Sequence, residues 1–119
     1  MQQFNLLEKL EYREPDPFAQ PLLVDKNTRI LRFMLKPGQR IEEHTAPSSP
    51  FIAVVLQGTG FFSGPDGKEA QVGPNTLVHF GPNEAHSVRA GDEEFVFVGF
   101  LQGVEGTRPD HQGGELAKK

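Results

Sequence analysis

Pro37-Gly38-Gln39-Arg40-Ile41-Glu42-Glu43-His44 and Gly81-Pro82-Asn83-Glu84-Ala85-His86-Ser87-Val88-Arg89-Ala90 are the two stretches whose reading decides the fold. Each opens on a glycine–proline turn and runs into a short segment that carries one histidine. Proline fixes φ near the value a turn requires and glycine accepts positive φ, so such pairs punctuate a chain of strands.

Outward from these stretches the same punctuation recurs at Gly64-Pro65-Asp66-Gly67, Gly73-Pro74 and Gly91-Asp92. It separates runs at 22–25, 29–35, 40–44, 51–56, 60–62, 68–72, 76–80, 86–90 and 94–101. Short strands with a turn about every ten residues predict an all-β sandwich or barrel. Ahead of them, Phe4, Leu7 and Leu10 share one helical stripe that Asn5 can cap, which predicts a short helix within residues 1–13. The same residues partly alternate and also suit an edge strand. Pro15 and Pro17 end either element. Residues 1–104 read as one domain, and 105–119, polar and glycine-rich, as a mobile tail that includes His111.

Composition excludes several functions. The 119 residues contain no cysteine, which removes disulfides, thiolate ligands and cysteine nucleophiles. Net charge is −4 with no basic cluster, which argues against nucleic acid and anionic membrane surfaces as partners. With neither a signal peptide nor a long apolar span, the expected location is the cytoplasm. No phosphate-binding glycine loop, Gly-x-Ser-x-Gly elbow or His-Glu-x-x-His occurs.

Over residues 29–101 the sequence resembles the cupin superfamily. The Gly38-to-His44 spacing matches the opening of that family's first motif, and Pro82–Val88 its second. The resemblance implies an antiparallel jelly-roll barrel, often built around a metal. Carried over position by position, it makes His44 and His86 metal ligands. The family's second histidine falls at Ala46 and its glutamate at Phe51, so two of four usual ligands are kept. Two neutral imidazoles leave a divalent ion such as iron, manganese, nickel or zinc short of charge and ligands.

Three other side chains bear on that shortage. Glu42, two residues before His44, is the nearest carboxylate in sequence, although a solvated rim charge is the commoner role. His79 restores a third imidazole if it faces inward, yet alternation gives that direction to Phe80. The second motif is two residues longer than usual between Gly73 and His86, so a bulge can reverse the parity. Phe51 and Phe80 are expected to wall the ligand cavity.

Three functional classes follow. The first is a binding protein that holds a small molecule, with or without a divalent metal, through His44 and His86. The second is a metal-dependent dioxygenase, isomerase or lyase acting on a small organic acid or sugar derivative. The third is a structural subunit, favoured if phenylalanine fills the barrel. A homodimer is expected, with Phe95, Phe97 and one face of 22–25 as surplus apolar surface.

Overall fold

Each of the nine runs marked out by turns corresponds to a strand in the computed structural model, which describes residues 1–45 and 49–103. In chain order the strands are β1 (Phe18–Val24), β2 (Thr28–Leu35), β3 (Arg40–His44), β4 (Phe51–Gln57) and β5 (Gly60–Ser63). They continue as β6 (Glu69–Val72), β7 (Leu77–Phe80), β8 (His86–Ala90) and β9 (Phe95–Gln102). Two antiparallel sheets face each other, one ordered β1-β2-β9-β4-β7 and the other β3-β8-β5-β6. The expected tail at 105–119, with His111, lies outside the described residues.

β1 begins four residues earlier than its apolar run, directly after Pro17, and contains Pro21. A proline lacks the N–H a central strand must donate, but β1 is a sheet edge and breaks register between Pro21 and Leu23. That bulge is what lets the strand pass through the proline.

Alternation along β2 and β9 sends Leu31, Phe33, Leu35, Phe95, Phe97 and Leu101 into one core with Phe51, Phe62 and Phe80. Phe33 stacks on Phe97 at 4.6 Å, and Phe62 crosses from the second sheet to meet Phe97 edge-on at 5.2 Å. Burying each ring contributes about 1.5–3 kcal/mol, before any geometric preference between rings. Phe95 and Phe97 are wholly interior, so they are core and not the surplus surface the sequence suggested.

The helix expected in residues 1–13 does not form. The cause is Arg32, which stands on the outer face of β2 and is 5 % exposed. Its guanidinium donates to the carbonyls of Leu6, Glu8 and Lys9 and twice to Gln20 Oε1. A helix would need those carbonyls for its own i→i+4 bonds. The segment instead turns at Asn5, places Lys9 at φ 54° and lies as a strap along the five-stranded sheet.

The outer face of the four-stranded sheet is polar. Arg89 on β8 makes a two-pronged ion pair with Glu69 at 2.7 and 2.9 Å, its guanidinium 4.0 Å above the Phe61 ring. The pair holds the Glu69 carboxyl below the usual carboxylate range.

Candidate functional site

A bulge sets the backbones of the two motif histidines opposite each other. Ile41 of β3 pairs with Val88 of β8, and regular pairing would then set Glu43 against His86. The register shifts within Glu42-Glu43, and His44 becomes the residue opposite His86. One extra residue in β3 therefore aligns the two histidines in the backbone ladder. Glu42, the nearest carboxylate in sequence, is exposed and lies 3.5 Å from Arg40.

His86 projects inward and is 1 % exposed. Its ring sits between Phe51, at 5.0 Å and 5° from parallel, and Phe80, at 4.6 Å and 15°. Those two phenylalanines face each other across β4 and β7, so the imidazole of one sheet slots into a phenyl pair of the other. Nδ1 lies 2.9 Å from the Glu84 carbonyl oxygen. A carbonyl only accepts, so Nδ1 carries the proton and the lone pair of the neutral ring is on Nε2. Burial pushes the pKa of His86 below its ordinary value, against a smaller upward pull from Glu84. The ring is thus kept neutral.

The walls fit that ring closely. Phe33 meets Phe51 edge-on at 6.4 Å, and both press on Gly99 of β9. A Cβ added at Gly99 would stand 2.6 Å from Phe51 Cε1 and 2.9 Å from Phe33 Cε1, so glycine is what leaves room for the rings. Phe51 and Phe80 therefore cover both faces of the imidazole. They leave its edge as the direction in which Nε2 can act.

His79 is placed differently. Val78 and Phe80 turn toward the core, whereas His79 is exposed on the outer face of β7 opposite Ile52. In the turn after β7, Gly81 N donates to Glu84 Oε1 at 2.7 Å and Asn83 adopts φ 63°. Parity in β7 is undisturbed, and His79 does not join His86. Among the described residues no three of His, Cys, Asp or Glu come together as a metal-binding group. The donor set implied by the motifs is then His86 and His44. The ring proton bound by Glu84 O orients His86 as ligating imidazoles are commonly oriented, and this much fits a divalent cation.

One inward residue escaped the sequence reading. Val24, Arg29, Leu101, Phe51 and Phe80 are successive cross-strand partners and form one row over all five strands of the sheet. Directly opposed residues share a face, so Arg29 stands on the face of the phenyls that hold His86. It is 3 % exposed, and its Nε donates to the Gln102 carbonyl at 3.2 Å. Gln102 N in turn donates to Ser49 Oγ at 2.9 Å, which ties down the approach to β4. The signal was present: Arg29 shares the parity of Leu31, Phe33 and Leu35.

A cleft of about 810 Å³ opens elsewhere, between residues 13–19 and residues 36–42, with Phe33 and Ile41 in its lining. Carboxylates accompany its cations, Lys36 with Glu14 at 2.9 Å and Arg40 with Glu42 at 3.5 Å. It reaches neither Phe51 nor His86. No helix among the described residues is long and apolar enough to cross a membrane.

An antiparallel barrel of two facing sheets, with a neutral buried histidine just after a Gly-Pro-Asn turn, defines the class. The chain belongs to the cupin family, whose cupin domain matches residues 31–100. It is similar in structure to an uncharacterised conserved protein with a double-stranded β-helix domain from Klebsiella pneumoniae. That likeness has TM-score 0.81 and 18 % identity over 90 % of this chain and 94 % of that one. An RmlC-like cupin protein from Desulfovibrio desulfuricans gives 0.76 and 25 %, over 84 % and 95 %. TT1209 from Thermus thermophilus gives 0.81 and 17 %, over 87 % and 99 %. No curated protein shows a significant sequence match.

Proposed function

We propose that this cupin binds a small molecule at the His86 end of the barrel, through a divalent cation shared by His44 and His86. The observation that carries the reading is the state of His86: neutral, clamped between Phe51 and Phe80, with Nδ1–H on Glu84 O and the lone pair on Nε2. The phenyls block the ring faces, so a partner is met in the ring plane, which is the direction of coordination. His44 enters because the bulge in β3 sets its backbone opposite that of His86. A bound cation would supply Lewis acidity and a positive anchor for ligand oxygens, which complete a shell that two imidazoles leave short. Iron, manganese, nickel and zinc all accept imidazole nitrogen.

Binding ranks ahead of catalysis here because, among the described residues, no three of His, Cys, Asp or Glu come together as a group. The protein is further proposed to act as a homodimer. The apolar outer face of β4 and β7 supports this, with Val54 half-buried and Leu77 63 % exposed. A cytoplasmic setting accords with a chain that has no cysteine.

Calorimetric titration of untagged, metal-stripped protein with zinc or manganese tests the reading. The expected result is one ion per chain, lost in both His44→Ala and His86→Ala while the β-type circular dichroism persists. Full stoichiometry in His86→Ala would refute it.

A further inference from the structure

We infer that Glu84 is the positioning residue of this site: its carboxylate clasps the turn before His86 and thereby fixes which ring nitrogen can coordinate. The inference rests on the preceding reading of His86 as an Nε2 ligand and adds to it the part of the chain that keeps the ring in that state.

The clasp is built within four residues. Glu84 N donates to Gly81 O at 3.1 Å, and Gly81 N donates to Glu84 Oε1 at 2.7 Å. Pro82 at the second position and Asn83 at φ 63° at the third give the turn its type II form. Such a turn can close through its backbone bond alone. It does so elsewhere in the chain, where Gly67 N donates to Gly64 O at 2.9 Å and the Asp66 carboxylate accepts from Lys68 N beyond the turn. The returning carboxylate of Glu84 is therefore an addition, and it stands in the turn that leads into His86.

Its effect falls on the Glu84 carbonyl. Residue 84 is tied to Gly81 twice, through its own N–H and through its carboxylate. From that fixed point its carbonyl oxygen accepts Nδ1–H of His86 at 2.9 Å. An imidazole without a fixed acceptor at Nδ1 is free to carry its proton on Nε2, and a protonated Nε2 offers no lone pair to a cation.

The carboxylate also borders the wall of the site. A Cβ built on Gly64 would stand 3.9 Å from Glu84 Oε2 and 3.6 Å from Phe80 Cε1, so carboxylate and ring converge on one glycine. Phe80 in turn stacks on His86 at 4.6 Å. Removing a partner that orients a ligating imidazole typically lowers metal affinity by roughly 10- to 100-fold.

The test uses full-length, metal-stripped protein as wild type, Glu84→Ala and Glu84→Gln. Long-range ¹H–¹⁵N correlation reads the His86 tautomer without metal, and calorimetry then reads zinc affinity. Glu84→Ala is expected to populate the Nε2–H tautomer and to bind zinc about tenfold more weakly. Glu84→Gln keeps an oxygen where Oε1 stands and should restore both. A wild-type tautomer in Glu84→Ala, whatever its zinc affinity, overturns the inference, and so does a Glu84→Gln protein as impaired as Glu84→Ala. If Glu84→Ala does not fold, the wild type decides. By linkage, zinc should slow hydrogen exchange of the Gly81 amide by the same factor of about ten, and unchanged exchange overturns the inference. The two readings fail separately. Wild-type protein that takes up no zinc ends the cation reading, and the metal-free tautomer comparison still decides the role of Glu84.

Discussion

Two cross-strand rows run over the five-stranded sheet, one on each face, and each takes an arginine from β2. The inner row is Val24, Arg29, Leu101, Phe51 and Phe80; the outer is Gln20, Arg32, Val98, Val54 and Leu77. The arginines are about equally buried, at 3 % and 5 %. Arg32 spends every donor on backbone and amide oxygens and thereby fastens residues 6–9 over the sheet. Arg29 stands instead in the row whose far end grips His86. Equal burial thus goes with different surroundings: strap and amide oxygens around Arg32, and for Arg29 the core face of the sheet with the Gln102 carbonyl on its Nε.

The comparison breaks first where the outer arginine is removed. Arg32→Met is expected to cost about 3 kcal/mol, because it strips partners from three carbonyls and Gln20 at once. Hydrogen exchange should then show residues 1–13 released from the sheet. Protection of that segment at wild-type levels would mean that apolar contacts, not Arg32, hold the strap.

A smaller loss is expected from Gly99→Ala, about 2 kcal/mol, since a methyl 2.6 Å from Phe51 Cε1 forces the ring aside. Phe51 stacks on His86, so the same variant should weaken cation binding, which a calorimetric titration reads directly. A stability loss with unchanged cation affinity would show that the phenyl sandwich does not position the imidazole.

Next in size is the effect of pH on metal-free protein. The pKa of His86 is depressed in the fold, so the unfolded chain takes up the proton first as pH falls. The contribution of the neutral ring is therefore complete above the unfolded pKa, near 6.5. It declines below that at up to about 1.4 kcal/mol per pH unit. Denaturant melts at pH 7 and 5.5 should show the drop, and His86→Gln should flatten it.

Much of this architecture was legible in the sequence. All nine strands follow from alternation and from turn punctuation, although β1 begins four residues before the run at 22–25. Phe80 was placed by alternation, and His86 by its position in the second motif. The register that pairs His44 with His86 was not legible, because a one-residue bulge leaves no reliable mark in Arg40-Ile41-Glu42-Glu43-His44. The phenyl sandwich was invisible for a different reason. It joins residues of separate sheets, and no local pattern states that Phe51 and Phe80 close on the imidazole instead of lining a cavity beside it. The N-terminal stripe misled because its carbonyls are claimed by an arginine more than twenty residues away.

The central claim is that His86 is held as an Nε2 donor, and long-range ¹H–¹⁵N correlation of the imidazole tests it most directly. Without metal, the spectrum should show one neutral tautomer with the proton on Nδ1. On titration with zinc, the Nε2 resonance should shift while the Nδ1 proton persists on Glu84 O. A proton found on Nε2, or a zinc-induced shift at Nδ1, would contradict the account.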